Sequence, residues 1–407
     1  MVIELANRVL ATLEENGFEA YFVGGCVRDW LLKRPVHDID ICTNAHPGDV
    51  ILLFPDHVPT GLKHGTVSVK MGKHLFEVTT YRTEGKYEDY RRPVEVQFVS
   101  ELRLDLERRD FTMNAMAMDR NKSLQDPFCG QEDLAAQLVR AVGNARERFQ
   151  EDALRLLRGV RFAAQLGFSI EKDTLTAMKE TAPLLSYIAV ERVREELNKT
   201  LDSQGVQIGC QLLYETGLLD FSPGLKRLFR QSLTESWRLT KLLTVSQKWS
   251  LLMFAAGFTP VDAKEVCSFL RMSKRDTETI IGFVRLLQQL HLDWDAPKTI
   301  EWGPLLLEEG WETCQGLALL LQASWSNSPT NQLIQELVKV YERMPVKNIK
   351  ELAVTGLDLQ IVLKKKPGEW IVQVLKALLF ETALRGLPNT PEALIEVAKK
   401  EVADNEH

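Results

Sequence analysis

Two carboxylates one residue apart, Asp38 and Asp40, close the stretch YFVGGCVRDWLLKRPVHDIDIC at residues 21–42. On an extended strand alternate side chains share a face, so the two aspartates would stand with α-carbons roughly 7 Å apart. That spacing suits a pair of divalent cations about 3.5–4 Å apart. Ahead of them Gly24 and Gly25 break an apolar strand ending Tyr21-Phe22-Val23, and Cys26 to Leu32 reads as a short helix whose first amides would face an anion. Gly24, Gly25 and Arg28 are thus candidate contacts for a triphosphate held beside the metals. A lone Gly-Gly is only a turn, and Asp-x-Asp is a common solvated pair at strand ends; their sequence between two apolar strands is what makes the combination specific.

Two further clusters carry compatible chemistry. In Arg108-Arg109-Asp110-Phe111-Thr112-Met113-Asn114-Ala115 the paired arginines offer bidentate donors for phosphate, and Asp110 can accept from a ribose hydroxyl. In Glu151-Asp152-Ala153-Leu154-Arg155, read as the start of a helix running to Leu166, Asp152 and Arg155 would share a face at i,i+3, and Glu151 would orient Arg155 at i,i+4. A carboxylate beside a guanidinium presents an acceptor next to a donor. Cytosine and adenine complement that edge, whereas uracil and guanine present the opposite order and would leave buried groups unpaired. Arg158 and Arg161 extend the same basic helix toward a triphosphate or a primer backbone.

The segments GGCVRDWLL and HDIDI together resemble the signature of the polymerase-β-type nucleotidyltransferases, and more narrowly of the class II tRNA nucleotidyltransferases (CCA-adding enzymes) and their bacterial poly(A) polymerase relatives. RRDFTMNA matches that family's RRDxxxNA motif, and Glu151 to Arg155 its EDxxR motif. The resemblance is dense from Tyr21 to about Leu201, loose through the middle, and returns in ELAVTGLDL, residues 351–359. It implies addition of CCA to tRNA 3′ ends from CTP and ATP without a nucleic-acid template, with two Mg²⁺ ions on Asp38 and Asp40. Glu77, on the neighbouring LFEVTTY strand, would be a third acidic residue of the site or else a surface carboxylate. By the same resemblance Asn114 belongs to the nucleotide site, Asp152 and Arg155 template the base, and ERVREE (191–196) braces the templating helix. DPFCG (126–130), with Cys129 where the family usually has Gly, would be a linker between head and helices. YEDYRRP lies in a polar stretch, Arg82 to Pro93, that resembles the flexible loop needed for the terminal A. An A-adding enzyme and a bacterial poly(A) polymerase remain alternatives; the latter is disfavoured by an acidic end, EVADNEH, in place of a basic tail.

These residues need a scaffold, and the patterning describes one. The expected fold is an α+β head of small mixed sheet and helices, residues 1–145, followed by a long all-α region: a neck at 146–205 carrying the templating helix, a body at 206–310 and a tail at 311–407 binding the tRNA acceptor stem and elbow. Alternation marks strands at 66–71 and 74–81; beyond Arg146 only helical periodicity remains. Hydrophobic residues at 45 % and charged residues at 26 % are those of a globular protein, and no apolar run approaches a membrane span. The first residues read as an amphipathic helix ended by Gly17, not a signal peptide, so a cytosolic protein is expected. The 6 cysteines have no C-x-x-C spacing, which argues against a zinc site and a disulfide framework. With a net charge of -6, nucleic acid would have to be held by local basic surface. Lys226, Arg227, Arg230 and Lys364 to Lys366 are candidates, or simply solvated faces. The 8 tryptophans read as helical core.

Overall fold

The computed structural model describes residues 2–36, 38–85, 87–88, 92–93, 96–231, 243–290, 300–324 and 332–404. Contacts divide the chain into two compact units, Met1–Leu233 with Ala255–Thr277, and Thr234–Phe254 with Glu278–His407. That division falls inside the 206–310 segment expected to be one body.

In the first unit the amphipathic helix α1 (Val2–Glu15) is closed by Gly17 at φ 85° and leads into strand β1 (Ala20–Val23). Helix α2 (Gly25–Leu31), strand β2 (Asp40–Thr43) and helix α3 (Pro47–Leu53) follow, then β3 (His57–Gly61), β4 (Thr66–Met71) and β5 (His74–Thr80). β2 and β5 are parallel with Asp40 directly opposite Glu77, and β4 continues the row with Ser68 opposite Glu77. This register lays the carboxylates of two strands side by side on one face. The mixed sheet, β11-β10-β1-β2-β5-β4-β3, is completed by β10 (Ala117–Met118) and β11 (Leu124–Gln125). Helix α4 (Leu102–Glu107) delivers the paired arginines, and a core of Val23, Cys42, Tyr81, Leu106, Ala115, Ala117 and Val142 seats that segment on the sheet.

Three expectations are corrected. The stretch from Arg82 to Pro93 is not an irregular loop where it is described: β6 (Arg82–Glu84) pairs with β9 (Val96–Phe98), and β7 (Tyr87–Glu88) with β8 (Arg92–Pro93), because the flanking alternation supplies a long-range antiparallel partner. Lys86, Asp89, Tyr90 and Arg91 lie outside the described residues. DPFCG is not a free linker. Asp126 accepts from the amides of Gly130 and Gln131 (2.7 and 2.8 Å) at the start of α5 (Gly130–Ala135). The all-α region also retains a strand: β12 (Leu138–Val139) pairs in parallel with β13 (Ser169–Ile170).

The neck begins with α6 (Ala145–Glu151), capped by Asn144, and α7 (Leu154–Leu166), ended by Gly167. Then come α8 (Lys172–Thr181), α9 (Val190–Leu201), α10 (Val206–Thr216), α11 (Pro223–Gln231), α12 (Val245–Ala255), which up to Phe254 belongs to the second unit, and α13 (Pro260–Phe269), back in the first. α14 (Lys274–Gln289) carries the chain into the second unit. There α15 (Trp302–Ser324), with a non-helical Gly310, packs on α16 (Gln332–Arg343), and α17 (Gly356–Leu363), α18 (Trp370–Leu384) and α19 (Pro391–Asp404) pack on one another. Trp249 and Trp302 are buried, the core role expected of the tryptophans, whereas Trp30, Trp311 and Trp370 are half-buried.

The corrected DPFCG segment yields a stability test. Cys129 holds φ 58°, a left-handed conformation costly for a side chain, whereas a Cβ on Gly130 would collide with the Thr112 carbonyl. Cys129→Gly should therefore stabilise by up to about 1 kcal/mol. Gly130→Ala should destabilise by about 2–3 kcal/mol, both read from denaturant midpoints of the full chain.

Candidate nucleotide and metal site

A cavity of about 660 Å³ opens where the sheet, α2, the segment after α4 and the start of the neck converge. Gly24, Gly25, Arg28, Asp38, Asp40, Arg109, Asp110, Asn114, Asp152, Arg155, Arg158 and Arg161 all line it, so residues more than a hundred positions apart share one space. Glu77 is exposed on the strand beside Asp40 and is not part of the lining.

The glycine turn is required by close approach. Gly24 adopts φ 77°, and a Cβ there would lie 3.0 Å from an Arg109 guanidinium nitrogen. Asp105, 1 % exposed at its side chain, pins both arginines of the motif: Arg108 at 2.7 Å and Arg109 at 3.2 Å. Burial would raise the Asp105 carboxyl, but Arg109 and Arg108 hold it below its ordinary range. Arg109 Nε is buried without a protein partner, a donor left for a ligand or water.

Asp110 ties the head to the neck. Its Oδ1 accepts from the Phe111 amide (2.8 Å) and from Asn114 Nδ2 (3.0 Å), while Oδ2 accepts from Arg158 Nε (2.7 Å) and Nη2 (2.6 Å). Asn114 in turn accepts from Arg28 Nη1 at 2.7 Å. Burial works to raise the Asp110 carboxyl, yet Arg158, Asn114 and Arg155 outweigh it and hold it well below the usual carboxylate range.

The Asp152 and Arg155 geometry differs from the expected continuous helix. Asp152 has extended backbone (φ −136°, ψ 102°) between α6 and α7, and its Oδ1 accepts from the Leu154 amide at 3.0 Å. The chain breaks there because the aspartate side chain caps the next helix, satisfying an amide that a continuous helix would have bonded internally. The pair still converges. Arg155 donates to Glu151 (2.7 Å), as the i,i+4 spacing implied, and also to the carbonyls of Arg148 (3.1 Å) and Arg108 (2.9 Å). Burial raises the Asp152 carboxyl, opposed by the Leu154 amide and by Arg192, Arg155 and Arg158.

Among the residues expected to touch ligand, Arg161 is turned to Glu196 (2.6 Å) and Gln165 (3.0 Å). Outside the cavity, Lys226 pairs with Asp220 (2.7 Å) and Arg227 donates to the Gly257 carbonyl (2.9 Å); Arg230's side chain lies outside the described residues. In the second unit Lys364 ends α17 in the left-handed conformation and the Lys366 carbonyl accepts from Trp370 Nε1. Arg108, the first of the paired arginines, lines the cavity too, as do residues the sequence reading had not assigned to it: Asp29, Glu84, Phe162 and Arg192. Arg192 stood in the segment assigned only to bracing, and Phe162 one helical turn beyond Arg158.

The donor set suits a hard divalent cation bound with a substrate. Burial raises the Asp40 carboxyl; Glu77 and Asp38 add to this, and Arg109 opposes it, so a cation held there would relieve the repulsion among the three carboxylates. Among the described residues no three His, Cys, Asp or Glu side chains form a closed cage. Mg²⁺ does not need one, since it is commonly held by one or two carboxylates together with phosphate oxygens and water.

The chain is similar to known proteins over nearly its whole length. The family model of the Poly A polymerase head domain matches residues 20–140, that of the RNA and SrmB-binding site of polymerase A 167–229, and that of tRNA nucleotidyltransferase domain 2 residues 240–398. The CCA-adding enzyme of Enterococcus faecalis is 39% identical over 98% of this chain and 97% of its own length, and that of Bacillus cytotoxicus 39% identical over 96% of both. The crystal structure of the Bacillus stearothermophilus CCA-adding enzyme in complex with CTP superposes with TM-score 0.89 at 34% identity, covering 99% of this chain and 98% of that one. Among the described residues no helix is long and apolar enough to cross a membrane.

The Asp110 pair gives a pH-dependent test. A carboxyl depressed on folding contributes stability that is present above its unfolded pKa, about 3.9, and is lost as pH falls through the folded value. Asp110→Asn should cost about 2–3 kcal/mol at pH 7 by leaving Arg158 without its anion, and its deficit relative to the parent should shrink below about pH 4. Denaturant titrations at both pH values check this.

Proposed function

The chain belongs to the family of CCA-adding tRNA nucleotidyltransferases, and from that premise we propose that it extends tRNA 3′ ends with C, C and A, using CTP and ATP and releasing pyrophosphate. The observation that carries the reading is the single cavity in which the Asp38/Asp40 carboxylates and the Asp152/Arg155 pair meet.

Asp38 and Asp40 would hold two Mg²⁺ ions. Bound there, Mg²⁺ would lower the pKa of the primer 3′-hydroxyl and neutralise charge on the triphosphate and the departing pyrophosphate. Glu77, in register with Asp40 on the next strand, would add negative charge beside the metal-holding pair. Gly24 and Gly25 let the backbone approach the phosphates, and Arg28 and Arg109 line that wall. Asp110 lines the cavity beside Asn114, and a ribose hydroxyl would reach it by taking the place of one of the donors it now holds.

Base choice would lie with Asp152 and Arg155. Arg155, anchored by Glu151 and the Arg108 carbonyl, donates toward cytosine N3 or adenine N1, while Asp152 accepts from the exocyclic amine. Uracil and guanine would set donor against donor and acceptor against acceptor. On this reading residues 1–145 would be the catalytic head and 146–205 the templating neck, and the helical segments 206–310 and 311–407 would grip the acceptor stem and elbow.

Asp38→Ala and Asp40→Ala should each abolish nucleotide incorporation while leaving the circular-dichroism melt in place; normal turnover in either rules out their metal role. Arg155→Ala should cut the CTP-over-UTP preference by about 100-fold or more. An unchanged preference in a folded variant contradicts protein templating.

A further inference from the structure

Three arginines of the cavity share one aromatic neighbour. The Cζ atoms of Arg161, Arg28 and Arg158 lie 4.0, 5.1 and 5.5 Å from the centroid of the Phe162 ring. Phe162 lines the cavity at 5 % exposure, and Phe111 fixes its orientation, packed edge to face at a centroid distance of 5.8 Å and 84°. The arginines come from two elements, Arg28 from α2 in the head and the others from α7 in the neck. Each is also held by an acid: Arg28 by Asp29 (3.0 Å), Arg158 by Asp110 (2.6 Å) and Arg161 by Glu196 (2.6 Å).

We propose that Phe162 is a positioning residue for triphosphate binding: its π-system gathers the guanidiniums of Arg28, Arg158 and Arg161 into one rigid cationic wall facing the nucleotide phosphates. The inference rests on the cavity being the nucleotide site. Three like charges drawn to one wall repel, and the acids that pair with them pull outward in three directions, to α2, to the segment after α4 and to α9. A ring at their centre attracts all three through its electron-rich face and supplies no hydrogen bond that would compete for their N–H groups. The N–H groups that Asp29, Asn114, Asp110, Glu196 and Gln165 leave free are the ones that would meet incoming phosphate oxygens, in a site arranged before the nucleotide arrives, which lowers the cost of binding. The ring is remote in role from the base-reading pair. It should therefore govern affinity for any triphosphate, not the choice among bases.

The test separates an aromatic role from simple filling of space. In the full-length enzyme, Phe162→Leu and Phe162→Met keep apolar volume and remove the π face, and Phe162→Tyr restores it. Expected is a rise of about tenfold in KM for CTP and ATP alike in the Leu and Met variants, with kcat changed far less and the CTP-over-UTP preference intact. The Kd for inorganic tripolyphosphate with Mg²⁺, measured by calorimetry, should rise by a similar factor, and Phe162→Tyr should return both values to the parent's. Unchanged KM and Kd in a folded Leu or Met variant, or a Tyr variant as impaired as these, overturns the proposal. A parent enzyme that binds tripolyphosphate yet incorporates neither CTP nor ATP would instead overturn the proposed reaction, and this outcome is read independently of the variants.

Discussion

The partly buried contact between Asp110 and Arg158 is the joint on which the site depends. Asp110 ends the double-arginine motif of the head; Arg158 sits one turn beyond Arg155 on the first long helix of the neck. Withdrawing the Asp110 carboxylate from water is costly, and such a pair contributes little net stability compared with apolar packing. Its consequence is geometric. By fixing α7 against the segment after α4, it brings Asp152 and Arg155 to the same cavity as Asp38 and Asp40, and the Arg155 bond to the Arg108 carbonyl reinforces the same seam. Chemistry and selection are encoded in separate parts of the chain, and this seam is where they become one site.

Much of this was legible because it is local. The Gly-Gly turn and the helix after it are nearest-neighbour features, whereas the strand expected to carry both aspartates begins only at Asp40 and leaves Asp38 ahead of it. The Asp40–Glu77 register was legible only as a possibility, since strand order depends on pairing that no local pattern encodes. The break at Asp152 was hidden for a different reason. Apolar spacing continues through Phe149, Ala153, Leu156 and Leu157, all buried, so the helical pattern runs across the interruption. Only the capping bond to Leu154 reveals that the chain turns there.

The residues that were missed share a feature: each acts through something distant in sequence. Glu84 lines the cavity because β6 pairs with β9 and Arg108 reaches it at 3.2 Å. Phe162 reads as ordinary core until Arg28, from a helix far earlier in the chain, is seen beside it. In the other direction, Arg227 looked like a surface cation for RNA, but its guanidinium is spent on the carbonyls after α12 and on the Phe258 ring at 4.4 Å. Residue type announces a charge; the fold decides whether that charge is already committed.

The central claim is that one protein-built pocket writes a short fixed sequence without a nucleic-acid template. The direct measurement is Mg²⁺-dependent labelling of three tRNA transcripts, ending before CCA, after C and after CC, each offered CTP and ATP separately and together. The account predicts CTP incorporation on the first two, ATP incorporation on the third, and arrest after the A. Addition of A to the third transcript alone would identify an A-adding enzyme, and repeated addition of A would identify a poly(A) polymerase; either result contradicts the claim.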